Sequence, residues 1–221
     1  GGIYLQSESY YKADADRIAP ILDDYLGNAV GTLNEWSNQT EYSKELSSTY
    51  TGEVFSVKGY DPEFRICIKS EIEGEDHEPE LWIVFLERLN GITVSMGKDV
   101  FEDRLHLSGN VSTVEYQTHD DWDYGLGNIR ECEIDSSVWE RFIQEINNTE
   151  FTEIYWTEGS SFYEDHPGST IYDTPNQTHL ILHMDDGTIV RMRLIEGGYV
   201  KYEAVGFYCF VKIPGETFDS I

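Results

Sequence analysis

The sequence predicts an α+β protein, mainly antiparallel β-sheet, with a C-terminal meander and two or three amphipathic helices. Three observations lead there. Short apolar or alternating runs recur between Gly, Pro, Asn and Asp turn signals, which is the grammar of strands and hairpins. Apolar residues spaced by three and four occur in only a few stretches, so helices are few. Aromatics are abundant, with 15 Tyr, 10 Phe and 5 Trp, and these bury enough area to offset ordering entropy despite 42 acidic against 15 basic residues.

The first element expected is a helix. Asp14 or Asp16 supplies a cap, and Ile18, Ile21, Leu22, Tyr25, Leu26 and Ala29 follow at helical spacing, with Pro20 in the first turn where its missing N–H costs least. A second, polar helical segment is expected over residues 35–46. Strands follow at 54–57 and 64–69, joined by the turn Lys58-Gly59-Tyr60-Asp61-Pro62. Residues 81–86 (Leu-Trp-Ile-Val-Phe-Leu) are apolar at successive positions, as in a strand covered on both faces, and Asn90-Gly91 reads as a hairpin turn into a strand at 92–96. A helix returns over residues 137–147, with Ser137 and Glu140 as a capping box and Val138, Trp139, Phe142, Ile143 and Ile146 as the buried stripe.

The meander is expected from strands at 178–184, 188–195 and 206–213. Its first turn is chosen by parity. A three-residue loop Asp185-Asp186-Gly187, with Gly187 left-handed, puts Leu180, Leu182 and Met184 on one face with Val190, Met192 and Leu194. A two-residue loop would set them opposite Ile189, Arg191 and Arg193. The chosen register places His179 opposite Arg193, Ile181 opposite Arg191 and His183 opposite Ile189 on the other face.

The chain reads as one domain over 1–221. A weak internal repeat, Leu89-Asn90-Gly91-Ile92-Thr93-Val94-Ser95-Met96 against Asp185-Asp186-Gly187-Thr188-Ile189-Val190-Arg191-Met192, marks halves at 1–110 and 111–221. The three cysteines, Cys67, Cys132 and Cys209, are odd in number and far apart. They make neither a disulfide framework nor a zinc pattern and read as small buried hydrophobes, with one bridge open to an oxidising compartment.

The segment Gly52-Glu53-Val54-Phe55-Ser56-Val57-Lys58-Gly59-Tyr60-Asp61-Pro62-Glu63-Phe64-Arg65-Ile66-Cys67 resembles one that recurs in uncharacterised extracytoplasmic domains of Gram-positive, Clostridia-type membrane-anchored proteins. The resemblance implies an extracytoplasmic location and carries no catalytic residues. The opening Gly-Gly-Ile without Met agrees with a start trimmed from a leader or anchor, and no apolar run reaches the roughly 20 residues of a membrane-spanning helix.

The formal charge of −27 disfavours nucleic acid and anionic lipid as partners. The acidity is uneven: densest over residues 111–175 and nearly balanced from 176 onward. Four constellations stand out. The acidic stretch 71–80 has the oxygens a hard cation wants but not the spacing of a calcium loop, and reads as a solvated connection. Asp120, Asp121 and Asp123, beside His119, are the candidate metal ligands, with Ca2+ the candidate ion and Glu164, Asp165 and His166 as further ligands if that segment folds back. His179, His183, Arg191 and Arg193 are the candidate ligand-binding residues, a basic face for an anionic small molecule or acidic protein segment. The aromatic stretch 155–172 reads as a lid over local core or as a surface for sugar or peptide recognition.

No nucleophile elbow, phosphate loop, dinucleotide fingerprint or H-E-x-x-H motif is present. The function expected is therefore a non-catalytic extracytoplasmic binding or sensing domain of a membrane-anchored protein. A metal- or carboxylate-dependent hydrolase and an acidic mimic of nucleic acid are the alternatives.

Overall fold

The structure, a computed structural model, describes residues 4–30, 50–73, 78–153, 176–204 and 207–221. It is α+β with every strand pairing antiparallel, as the turn-punctuated sequence predicts. The chain divides into two compact units, Gly1–Asn90 and Gly91–Ile221. The division falls inside the Asn90-Gly91 turn and not at residue 110. Each unit has its own sheet.

The first unit contains β1 (Leu5–Lys12), a single helical turn α1 (Ala15–Ile18), β2 (Leu22–Val30), β3 (Thr51–Val57), β4 (Arg65–Glu73) and β5 (Pro79–Glu87). Its sheet runs in the order β1-β5-β4-β3-β2, so consecutive strands pair and β1 closes beside β5. The turn after β3 has Gly59 at φ 87°, and the Asp61 carboxylate accepts the Glu63 N–H at 2.9 Å. β4 and β5 pair from Arg65↔Glu87 out to Glu73↔Pro79, so the described part of the acidic stretch is a hairpin arm. Ile83, Val84 and Phe85 are successively buried, which confirms the two-sided burial read from the sequence.

The N-terminal helix is the main correction. Only Ala15–Ile18 is helical, and Leu22–Val30 is a strand on β3. Its pairing shifts register between Leu22 and Tyr25 and again between Tyr25 and Gly27. Each bulge interrupts the alternation of a regular strand, so β2 lacks the period of two that would have marked it as one. Ile18, Ile21 and Ala29 are buried, whereas Tyr25 and Leu26 are exposed. The helix expected over 35–46 lies outside the described residues.

The second unit contains α2 (Lys98–Phe101), β6 (Val111–Thr118), α3 (His119–Asp123), β7 (Arg130–Glu131), α4 (Ser136–Asn148), β8 (Thr152–Glu153), β9 (Gln177–Met184), β10 (Ile189–Ile195), β11 (Tyr199–Tyr202), β12 (Cys209–Lys212) and α5 (Gly215–Phe218). The sheet order is β7-β6-β9-β10-β11-β12-β8. Residues 92–95 form no strand, so the Asn90-Gly91 hairpin is not made, and the repeat has no structural counterpart there. Met96 makes one isolated bridge to Glu150.

Helix α4 buries Phe142, Ile143 and Ile146 of the expected stripe, whereas Val138 and Trp139 in its first turn are only half-buried, and it packs on α2 and α5. Its cap is Asp135, whose carboxylate accepts the Ser137 N–H at 2.8 Å, and not Ser137. The Ser137 hydroxyl also donates to Asp135, because an aspartate two residues upstream offers a shorter-range acceptor than Glu140.

The β9–β10 hairpin has the three-residue turn. The Gly187 N–H donates to the Met184 carbonyl at 3.0 Å, the Met184 N–H to the Thr188 carbonyl at 2.9 Å, and Gly187 has φ 85°. The third strand differs from expectation. β11 turns back immediately through Glu196-Gly197-Gly198, and the strand within 206–213 is the fourth of the run. Gly197 and Gly198 have φ near 90°, and a Cβ on Gly198 would lie 2.5 Å from the Ile213 carbonyl oxygen. The Ile213 N–H donates to the Gly198 carbonyl at 2.9 Å, so the close approach is part of the strand pairing.

None of the three cysteines is in a disulfide. Cys67 is fully buried, and burial pushes its thiol up to about 12. Cys132 and Cys209 are half-buried, so the reading of three buried hydrophobes holds fully only for Cys67.

Candidate ligand-binding site

The register predicted for the meander extends into a polar row across four strands of the second unit. Gln117 on β6 pairs with His179 on β9, His179 with Arg193 on β10, and Arg193 with Lys201 on β11. Alternation puts these side chains on one face, opposite the apolar set of Leu180, Leu182, Val190 and Met192. That polar face was expected to be a basic surface open to an anionic ligand or acidic protein segment. Instead His179 is 1% and Arg193 3% exposed, with Gln117, Ile181 and Glu203 buried beside them. His183 stays partly exposed and lies 2.7 Å from the Glu115 carboxylate, and Arg191 is half-buried.

Part of the cover is α3. The Thr118 hydroxyl accepts the Asp121 N–H at 3.2 Å and starts the turn. The Asp121 carboxylate then accepts from the Asn128 amide at 2.8 Å and from Arg130 at 3.2 Å. These contacts, the Asn128 amide foremost and then the Thr118 hydroxyl and Arg130, hold its carboxyl below the usual range. Anchored in this way, α3 lays Trp122 on the His179 ring, with centroids 4.6 Å apart and planes 18° from parallel. His119 Nδ1 stands 3.1 Å from His179 Nε2, one of the two nitrogens carrying the shared proton.

Arg193 is held at its guanidinium end. One terminal nitrogen donates to Gln177 Oε1 at 3.2 Å and the other to Glu203 Oε2 at 2.9 Å, and the group lies 5.3 Å from the Trp122 ring centre. Lys201 donates to the other Glu203 oxygen at 3.2 Å. Two cations thus share one carboxylate, and among the described residues the buried Arg193 Nε N–H has no hydrogen-bond partner. Burial first, then Arg193, His119, Arg191 and Lys201, push the His179 imidazole down to about 2, so it is neutral at ordinary pH.

A pH dependence follows from that shift. The unfolded chain protonates His179 near 6.5 and the folded chain only near 2, so the unfolded state binds more protons between those values. Stability is full above about pH 6.5 and falls on acidification, by up to ~1.4 kcal/mol per pH unit from this group. Urea unfolding between pH 8 and 5 should show the decline, and His179→Asn should flatten it. An unchanged slope in that variant would assign the acid sensitivity elsewhere.

The sequence marked His179, His183, Arg191 and Arg193. The structure brings His179 and Arg193 into one cluster and leaves His183 on Glu115, at the other end of the face. Sequence reasoning did not join Trp122, Gln177, Lys201 or Glu203 to this face, and it placed His119 only beside the candidate metal ligands. Lys201 and Glu203 have alternating spacing that signals a shared face with Arg193, but only once β11 is recognised as a strand. Of the candidate metal ligands, Asp120 and Asp123 are exposed on α3, while both Asp121 oxygens are engaged by Asn128 and Arg130. Among the described residues no three His, Cys, Asp or Glu side chains gather as a metal ion would need. Glu164, Asp165, His166 and the aromatic stretch 155–172 lie outside the described residues.

No protein-family model, curated protein or solved structure matches this chain.

Proposed function

We propose that this chain is a non-catalytic, extracytoplasmic binding or sensing domain of a membrane-anchored protein, and that its ligand is anionic. The location is supported by the resemblance of residues 52–67 to such domains. The ligand class is supported by one observation: on a molecule of charge −27, Arg193 and Lys201 converge on the single carboxylate of Glu203, with the Arg193 Nε N–H unpartnered among the described residues. A carboxylate or phosphate oxygen satisfies that donor and balances the second cation. Lys201 is the accessible member of the cluster, its side chain 12% exposed, and with half-buried Arg191 it forms the approach.

Thermal unfolding in citrate and in inorganic phosphate tests this against chloride at equal ionic strength. A ligand at a hundred times its Kd stabilises by about 2.7 kcal/mol, a rise of several degrees in Tm. The rise should shrink in Lys201→Gln. Equal Tm in all three salts, or an undiminished rise in the variant, would remove the anion reading.

A further inference from the structure

The first unit carries a concave site that shares no residue with the anion cluster. Tyr10, Tyr50, Ile72, Glu73, Glu80 and Trp82 line a cleft of about 440 Å3 with Val84 at its floor. That volume lies within the ~300–1,000 Å3 of small-ligand pockets. The cleft arises from strand alternation: Trp82, Glu80 and Val84 share one face of β5, Ile72 lies opposite Glu80 on β4, and Tyr10 opposite Val84 on β1. The same face continues inward as the packed cluster of Val54, Ile66, Ile68 and Leu86, with Tyr50 against it. Towards the hairpin arm the packing stops. There Tyr10 is 38% and Ile72 39% exposed.

The polar groups of the cleft orient one another. The Trp82 indole N–H donates to Glu80 Oε2 at 3.3 Å, and the Lys12 ammonium donates to Glu80 Oε1 at 2.6 Å. The first contact fixes the indole plane, and the Tyr10 ring stands 6.0 Å from it at 42°. The second offsets the charge of Glu80, so that carboxylate adds little to the pull of the ring faces on a cation, and Glu73 is the other carboxylate of the lining. The cleft thus offers a preset aromatic wall with hydrogen-bond donors and acceptors at its rim, from the Glu80–Lys12 pair and from Glu73.

We infer that this cleft binds a neutral pyranose ring of a glycan. A gluco-configured ring is apolar on its two C–H faces and polar around its rim. The C–H face lies on the electron-rich faces of Trp82 and Tyr10, and the rim hydroxyls exchange hydrogen bonds with Glu80 and Lys12. Flat, β-linked chains suit it best, because every ring presents such a face.

Calorimetric titration of the whole chain with cellohexaose and with chitohexaose tests the inference. At least one should bind saturably with Kd of about 1 mM or tighter. Trp82→Ala should weaken that binding at least tenfold, and Lys201→Gln, in the anion cluster, should leave it unchanged. Tyr10→Ala, on the open edge strand, supplies the same readout if Trp82→Ala does not fold. Absence of heat with both sugars at 5 mM, unaltered affinity in the aromatic variant, or saturable binding of tetramethylammonium in place of sugar would overturn it.

Discussion

Replacing Glu87 with Gln is expected to destabilise the first unit by about 3–5 kcal/mol, a large share of a typical domain's stability. Glu87 and Arg65 are direct cross-strand partners, 3.1 Å apart, and neither side chain has any solvent exposure. The Arg65 guanidinium lies 4.4 Å from the Phe85 ring centre and 4.9 Å from that of Tyr60. Taking one charge away leaves the other fully buried against two aromatic rings without its cross-strand counter-charge. Removing both is different, since two buried ions carry a desolvation cost that apolar side chains do not. The double change Arg65→Met with Glu87→Leu should therefore recover most of the loss. Urea unfolding measures the sum, and hydrogen exchange over residues 65–69 and 83–87 localises it. A single-variant loss below about 1 kcal/mol would mean the pair is replaceable by water or a neighbour.

Glu203→Gln should cost a similar ~3 kcal/mol in the second unit, and here the loss should depend on anions. The substitution leaves Arg193 and Lys201 without their shared counter-charge while preserving shape. Citrate or phosphate should then bind about tenfold more tightly than to the unaltered chain, because Glu203 no longer competes for the two cations, and should restore part of the lost stability. A purely structural ion pair would show the same initial loss with no rescue. The Tm difference between chloride and phosphate, compared across the two proteins, separates these outcomes.

Both ion pairs show where sequence reading stops. Arg65 opens an apolar run and Glu87 closes another, so each looks like a strand end reaching solvent. Only the pairing of β4 with β5 sets them face to face. His179 and Arg193 were placed opposite one another correctly by parity alone, and still their surroundings were misjudged, because alternation tells which residues share a face and not what covers it. The bulged β2 failed for the converse reason: two register shifts interrupt the alternation that would have marked it as a strand.

The sequence by itself therefore determined the α+β class, the β3 to β5 strands, the α4 stripe and the register of the β9–β10 turn. These depend on neighbours a few residues apart, through side-chain alternation, helical spacing and the left-handed glycine a turn requires. Tertiary structure alone decided that the basic face is buried under Trp122, that Glu203 is shared by Arg193 and Lys201, and that Tyr10 meets Trp82 beside the Glu80–Lys12 pair. Each of these joins residues from separate strands or helices, and burial, charge balance and aromatic contact exist only after those elements have been brought together.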